Sequence, residues 1–225
     1  MKIFLDTANI EEINALLQYY PISGITTNPS ILAKECSDVK DTLAKLQKLS
    51  GDDKAIHIQT TALDAQQMFE QAKALKKAMG SNFYIKLPAN EQGLKAVSLC
   101  KAVGIKTTVT AVFTPMQALT AALAGADYVA PYVDRLDNIN ANGVTVVKEI
   151  LELLKVHNLK TQVLAASFKN LQQIYLVAAL GVHAVTISPD LCKKLLFHPY
   201  TDKSLQDFCT DWENKFGKTH ITDFV

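Results

Sequence analysis

Residues 83–112, FYIKLPANEQGLKAVSLCKAVGIKTTVTAV, contain one complete strand–helix–strand unit. The runs at 83–87 and 107–112 have the length of strands, and Gly104 stands where the intervening helix should end. Runs that are largely apolar or β-branched are typical of parallel strands buried on both faces. This stretch therefore predicts two parallel strands joined by a covering helix.

The same unit recurs along the whole chain. Between the strand-like runs, apolar residues recur at helical spacing, as in Val144, Val147, Leu151 and Leu154. Strands are predicted at residues 2–5, 24–27, 55–60, 83–87, 107–112, 128–133, 162–166 and 184–187. Eight units of about 28 residues each (225/8) predict an α/β fold, a (β/α)8 TIM barrel. A doubly wound sheet is disfavoured, because no G-x-G-x-x-G follows the first strand and no G-x-x-x-x-G-K-S/T occurs.

No linker divides the chain, so we expect a single domain overall. Within it, residues 1–200 are predicted to form the catalytic barrel and residues 201–225 a C-terminal helix and tail. That helix carries a large apolar stripe of Leu205, Phe208, Trp212 and Phe216. Because a monomer would expose it, the stripe either folds back on the barrel or packs on a neighbouring subunit.

Composition excludes several classes of protein. The chain is 48% hydrophobic and 20% charged with a net charge of +1, which is typical of an ordinary globular protein. The four cysteines form no C-x-x-C pair, as in proteins with reduced thiols. There is no signal-peptide pattern, and no apolar run reaches the roughly 20 residues that cross a bilayer. We expect a cytoplasmic protein that binds neither nucleic acid nor membrane.

Polar residues follow most of the predicted strands. In a barrel of this type the active site lies at the carboxyl ends of the strands, so these side chains are expected to converge on one mouth. They are Asp6, Thr27, Asn28, Gln59, Thr60, Lys86, Thr108, Thr110, Tyr132, Arg135, Ser167 and Ser188.

Lys86 is the strongest candidate for a catalytic residue, because it interrupts an otherwise apolar strand. Lysine is almost never fully buried without a partner. One interpretation is a side chain that extends past the barrel rim into water. The other is a desolvated amine, whose uncharged form attacks a carbonyl and forms a Schiff base.

Arg135 is the single arginine among 23 cationic residues. The simplest interpretation is that Arg135 lies on the protein surface without a specific ligand. A planar, bidentate donor is also what a phosphate or carboxylate requires, and lysine substitutes for it poorly. We therefore take Arg135 as a candidate anion ligand.

His57 precedes Gln59 by two residues on the same predicted strand, so its side chain is expected to point into the barrel. A structural, hydrogen-bonded role is favoured for it over a catalytic one. The other histidines show no metal-ligand spacing, and H-E-x-x-H is absent. We expect no metal and no cofactor.

Four separated motifs resemble the transaldolase family. They are GITTNPSIL (24–32), YIKLPANEQGLKA (84–96), AGADYVAPYVDRLD (124–137) and LAASFKN (164–170). More closely, they are similar to its small-subunit branch, which holds fructose-6-phosphate aldolase and the short transaldolases, in register over residues 1–217. The resemblance implies a (β/α)8 barrel whose Schiff-base lysine is Lys86.

The resemblance also implies how the substrate is held. Lys86 forms the imine with the ketose C2 carbonyl, while Asp6, Thr27 and Asn28 contact substrate hydroxyls and Asp6 assists proton transfer. The sugar phosphate is held by Arg135 and Ser167 with help from Lys169. The ligands are sugar phosphates and dihydroxyacetone. In the family the last helix packs on an adjacent subunit, so a homo-oligomer, a pentamer or decamer, is expected.

Two further positions separate the branches of the family. The resemblance implies that the position on strand 3 is glutamine in the aldolase and glutamate in the transaldolases. It implies that the position on strand 6 is tyrosine in the aldolase and usually phenylalanine in the transaldolases. This chain has Gln59 and Tyr132, and with Thr110 they would hold the water that shuttles the proton.

We therefore predict a class I aldolase that reversibly cleaves fructose 6-phosphate to dihydroxyacetone and glyceraldehyde 3-phosphate. One alternative is a transaldolase, which transfers a dihydroxyacetone unit between sugar phosphates. It would interconvert sedoheptulose 7-phosphate plus glyceraldehyde 3-phosphate with erythrose 4-phosphate plus fructose 6-phosphate. A remote one is a non-catalytic phosphosugar-binding barrel, in which Lys86 only forms a salt bridge.

Overall fold

Eight parallel strands close into a barrel in the order β1 to β8, each paired with its neighbours in sequence and β8 paired with β1. The structure is a computed structural model that describes residues 1–51 and 53–225. It contains two compact units, residues Met1–Cys192 and Lys193–Val225. The predicted (β/α)8 barrel with an additional C-terminal helix is confirmed.

The strands are short and helices connect them. The strands are β1 Lys2–Asp6, β2 Ile22–Thr26, β3 Ala55–Gln59, β4 Phe83–Pro88, β5 Lys106–Val112, β6 Tyr128–Pro131, β7 Gln162–Ala165 and β8 Ala184–Ile187. The helices are α1 Ile10–Leu17, α2 Pro29–Glu35, α3 Val39–Ser50, α4 Ala65–Met79, α5 Glu91–Ala102, α6 Pro115–Ala124, α7 Val133–Asp137, α8 Gly143–Val156, α9 Leu171–Ala179, α10 Pro189–Lys194 and α11 Pro199–Phe216.

The sixth strand is shorter than the sequence pattern predicts. The β-branched and aromatic run extends to residue 133, but β6 ends at Pro131 and Val133 already begins the five-residue helix α7. Arg135 therefore lies on a short helix at the barrel mouth. The carboxyl ends of the other seven predicted strands agree with the structure to within one residue.

Asparagine caps fix the starts of five helices. In each, the side-chain oxygen accepts a backbone N–H one turn into the helix, which otherwise has no partner. The caps are Asn9, Asn28, Asn90, Asn142 and Asn170. Those at Asn28, Asn90 and Asn170 follow β2, β4 and β7, so they also fix the backbone beside the barrel mouth.

The lower barrel interior is filled by aromatic rings. Phe4 and Tyr128 belong to one buried cluster, and the His57 ring stacks on Tyr84 at 4.4 Å between centroids. Only glycine fits at position 24, because a Cβ there would lie 2.2 Å from the Ala55 carbonyl oxygen and 2.7 Å from the Phe4 ring. This packing closes the barrel below the level of Lys86.

The second unit contains α11 and a short 3-10 turn, Ile221–Phe224. The Trp212 indole N–H donates to the Thr219 carbonyl at 2.9 Å, and its ring contacts those of Phe216 and Phe224. Three of the four members of the predicted stripe, Leu205, Phe208 and Phe216, are exposed. Within the described residues, no helix has the length and apolar character needed to span a bilayer.

Candidate active site

Lys86 lies inside the barrel, with 5% of its surface exposed. Its ammonium donates a hydrogen bond of 2.9 Å to the main-chain carbonyl of Thr27, across the barrel on the strand-2 side. Burial lowers the pKa of Lys86, and the nearby Asp6 carboxylate acts in the opposite direction. The side chain does not extend past the rim into water. This environment favours the uncharged amine.

Asp6, at the end of β1, is held by Thr26 on β2, and Thr26 in turn contacts Thr186 on β8. The Thr26 hydroxyl donates to the Asp6 carboxylate at 2.5 Å and is 2.6 Å from the Thr186 hydroxyl. Both threonines are buried, on β2 and β8 respectively. Sequence reasoning overlooked Thr26 and Thr186, although their inward parity on the two strands beside β1 was a usable signal.

Thr27 and Asn28 directly follow β2, on the side of the barrel that Lys86 contacts. Besides accepting from Lys86 through its carbonyl, Thr27 has a buried hydroxyl with no hydrogen-bond partner among the described residues. The Asn28 side-chain oxygen caps α2 by accepting from Ile31 N at 3.0 Å. Its amide nitrogen remains as a donor.

Tyr132 and Thr110 form a polar pair on the strand-5 and strand-6 side of the mouth. The phenol oxygen of Tyr132 is 3.2 Å from the Thr110 hydroxyl. Immediately after Thr110, Ala111 has a φ of 56°, and the β5–β6 register shifts there. Such a left-handed conformation at a non-glycine residue is uncommon and is often found at functional sites. Gln59 is half-buried in register with Lys86.

Arg135, Ser167 and Lys169 lie on the segments after β6 and β7. The Arg135 guanidinium lies 5.5 Å from the centre of the Tyr132 ring, so the single arginine is beside the phenol at the mouth. Ser167 has a φ of 62°, a second left-handed residue at the site. Its carbonyl accepts from the backbone N–H of Asp134 at 2.8 Å, which joins the two segments.

His57 lies one level below the mouth rather than in it. Its Nδ1 is 2.8 Å from the Thr108 hydroxyl, and its ring packs among Phe4, Tyr84 and Tyr128. Burial, reinforced by the positive charge of Lys86, lowers the pKa of His57 well below its ordinary value. The ring is therefore neutral. Thr108 belongs to this lower level, whereas Thr110 is at the mouth.

A cavity of about 460 Å³ lies at the opposite, amino end of the barrel. Lys2, Tyr84 and Tyr128 line it, and it contains none of the candidate residues. The chemistry-bearing groups are thus at the carboxyl end: an amine, a carboxylate, a phenol, an amide and a guanidinium. Among residues 1–51 and 53–225, no group of three or more His, Cys, Asp or Glu is arranged to hold a metal ion.

The sequence is similar to known proteins over nearly its full length. Residues 3–223 match the family described as Transaldolase/Fructose-6-phosphate aldolase. A probable transaldolase from Alkaliphilus metalliredigens (strain QYMF) is 41% identical over 213 residues, which are 95% of this chain and 98% of that protein. A probable transaldolase from Clostridium botulinum (strain Langeland / NCTC 10281 / Type F) is 40% identical over 218 residues, 97% of this chain and 99% of that protein.

Solved structures with little sequence identity share the barrel. One described as "Native KDPGal structure" has a TM-score of 0.56 at 17% identity and covers 88% of this chain and 84% of that chain. A mandelate oxidase mutant has a TM-score of 0.57 at 11% identity, with 84% and 65% covered. These likenesses concern the fold alone.

Proposed function

The chain belongs to the transaldolase/fructose-6-phosphate aldolase family, and from that premise we propose a class I aldolase that works through a Schiff base on Lys86. The proposed reaction is the reversible cleavage of fructose 6-phosphate to dihydroxyacetone and glyceraldehyde 3-phosphate. The observation that carries this proposal is the buried amine of Lys86, hydrogen-bonded to a carbonyl at the barrel mouth.

The first step requires Lys86 to be uncharged. A lysine in water has a pKa of about 10.4 and is only about 0.04% neutral at pH 7. Burial lowers the pKa of Lys86 and enlarges that fraction. The amine then attacks the C2 carbonyl, and loss of water from the carbinolamine leaves a protonated imine. This imine accepts the electron pair released when the C3–C4 bond breaks.

We assign removal of the C4 hydroxyl proton to the carboxylate of Asp6. Its hydrogen bond from Thr26 orients it, and its negative charge stabilises the iminium on Lys86. The free hydroxyl of Thr27 and the amide donor of Asn28 are assigned to the substrate hydroxyls.

The fate of the enamine distinguishes the two activities of the family. Cleavage leaves an enamine of dihydroxyacetone on Lys86, which an aldolase protonates and hydrolyses. The phenol of Tyr132 and the hydroxyl of Thr110, 3.2 Å apart, are donors and acceptors that can hold the required water together with Gln59. This pair supports protonation and release of free dihydroxyacetone.

The phosphate is assigned to Arg135 and Ser167, with help from Lys169. Arginine presents a fork of donors that matches a phosphate, and Arg135 is next to Tyr132 at the mouth. Ser167 is next to α7, because its carbonyl accepts from the backbone N–H of Asp134 at 2.8 Å. Sugar phosphates are therefore the proposed substrates.

Transaldolase activity is the second candidate, favoured by the description of two relatives at 40% and 41% identity as probable transaldolases. A transaldolase keeps the enamine on the lysine until an acceptor aldehyde arrives. It uses the same Lys86, so the two candidates differ only after C3–C4 cleavage.

The test is the cleavage of fructose 6-phosphate in the absence of any acceptor aldehyde. Continuous production of glyceraldehyde 3-phosphate and free dihydroxyacetone is expected. If turnover appears only after erythrose 4-phosphate is added, the aldolase proposal is wrong and the transaldolase is correct.

We also propose that the chain forms a homo-oligomer through α11. Leu205 and Phe208 are exposed apolar side chains on the described part of this helix, and such patches are typical of protein contacts. Light scattering should give the mass of a pentamer or decamer. A monomeric mass would refute the oligomer without affecting the chemistry proposed for Lys86.

A further inference from the structure

Gln173 is a buried glutamine in the first turn of α9, with 8% of its surface exposed. A buried primary amide has two N–H donors and a carbonyl acceptor, and leaving them unpaired is costly. The partners of such a group therefore show which segments it holds together.

Both halves of the Gln173 amide are bonded, and to different segments. Its nitrogen donates to the Asp137 carboxylate at 2.7 Å and to the Asp134 carboxylate at 3.3 Å, both on α7. Its oxygen accepts from the backbone N–H of Lys169, in the turn after β7, at 2.8 Å. One side chain thus bridges the segment after β6 and the segment after β7.

These two segments carry the residues assigned to the phosphate. Arg135 lies on α7 between the two carboxylates that Gln173 contacts. Ser167 and Lys169 lie in the turn whose backbone Gln173 contacts. The backbone bond from Asp134 N–H to the Ser167 carbonyl joins the start of α7 to this turn, and the Gln173 amide adds the side-chain link between Asp137 on α7 and Lys169.

The two carboxylates are themselves fixed. Asp137 also accepts from the Gly143 backbone N–H at 2.9 Å, and Asp134 accepts from the Asn138 amide at 3.0 Å. Two acidic groups on one short helix need donors, and Gln173 supplies a donor to both while remaining neutral. An apolar residue lacks these bonds, and a glutamate would bring a third negative charge.

We infer that Gln173 is a positioning residue that sets the spacing of the phosphate-binding groups Arg135, Ser167 and Lys169, and so makes the enzyme selective for phosphorylated substrates. This inference rests on the proposed function. Gln173 acts through α7 and the turn after β7 and does not touch the reacting atoms. Its loss should therefore change the recognition of phosphate and leave the imine chemistry intact.

The experiment compares two acceptor aldehydes in the condensation with dihydroxyacetone: glyceraldehyde 3-phosphate and unphosphorylated glyceraldehyde. In Gln173→Met, the KM for the phosphorylated aldehyde should rise about tenfold, the effect expected if the displaced groups lose one charged hydrogen bond to the phosphate. The KM for glyceraldehyde should change by less than about twofold. Gln172→Met, an exposed neighbour on the same helix, is the matched control and should leave both values unchanged.

Gln173→Glu is the second variant, in case the methionine variant does not fold. It keeps the size and the acceptor for the Lys169 N–H but loses both donors, so the same selective rise is expected. An equal rise in KM for both aldehydes, or no change, in the folded variants would overturn the inference. Failure of the wild type to trap dihydroxyacetone on Lys86 with borohydride would instead overturn the proposed function.

Discussion

The two halves of the barrel mouth are built differently. The half that we assign to the imine, here called the imine half, contains Lys86 on β4, Asp6 at the end of β1 and Thr27 directly after β2, and its hydrogen bonds cross between these segments inside the barrel. The half that we assign to the phosphate, here called the phosphate half, has Arg135 and Lys169 exposed and lies on a five-residue helix and a turn. Bond making depends on a desolvated, rigid environment, whereas phosphate binding needs an accessible site. Mutations in the two halves should therefore affect different kinetic constants.

The largest effect is expected from removing the amine. Lys86→Met replaces the side chain with an unbranched one of similar length that has no amine, so cleavage should fall by about a thousandfold or more. The measurement is the turnover of fructose 6-phosphate at saturating substrate. Lys95→Met, an exposed lysine on α5, is the control and should retain full activity. Residual turnover within about tenfold of the wild type would assign the nucleophile elsewhere.

The phosphate half should respond in KM. Arg135→Ala removes charged hydrogen bonds to phosphate, and we expect the KM for fructose 6-phosphate to rise about 10- to 100-fold, with a smaller change in kcat. The kinetics with glyceraldehyde as acceptor should stay close to those of the wild type. A fall in kcat with an unchanged KM would place Arg135 in the imine half instead.

Tyr132 lies at the boundary between the two halves, in contact with Thr110 and close to Arg135. Tyr132→Phe removes the phenol oxygen and leaves the ring, so protonation of the enamine should slow by about tenfold while transfer to an added aldehyde rises. The ratio of free dihydroxyacetone to transferred product measures this. An unchanged ratio would contradict the role given to Tyr132.

The smallest effect concerns His57, below the imine half. Burial lowers the pKa of the folded-state histidine, so at acidic pH only the unfolded chain binds the proton. The free energy of unfolding should fall as the pH drops through the unfolded pKa of about 6.5, by up to about 1.4 kcal/mol per pH unit. Denaturant titrations at several pH values between about 7.5 and 5 give the free energy of unfolding at each pH. This free energy should depend less steeply on pH in His57→Asn than in the wild type.

The exposed His157 provides the comparison for this measurement. His157→Asn should keep the slope of the wild type. If His57→Asn also keeps that slope, His57 is charged in the folded barrel, and the contrast between a reactive buried Lys86 and an inert buried His57 fails.

Local sequence patterns predicted the barrel and the position of Lys86. The alternation of strand-like and helical runs located all eight strands, and β8 ends at the predicted residues. The strand-6 prediction was too long, because an apolar β-branched residue such as Val133 fits a strand or the first turn of a helix equally well. The resemblance to the transaldolase family is confirmed.

The supporting contacts of the site could not be found in the same way. The chain of hydrogen bonds from Asp6 to Thr26 and on to Thr186 depends on the register of three strands that are distant in sequence. Gln173 appears as a polar residue on a helix, and only the packing of α9 beside α7 reveals its bonds to Asp134 and Asp137. Such contacts follow from long-range geometry rather than from local pattern.

Trapping of the imine tests the central claim most directly. The enzyme is incubated with dihydroxyacetone and reduced with borohydride, and the modified residue is located by mass spectrometry. The account predicts one stable adduct per chain, on Lys86, and none in Lys86→Met. A wild-type protein that gains no adduct, or gains it on another lysine, would contradict the Schiff-base mechanism.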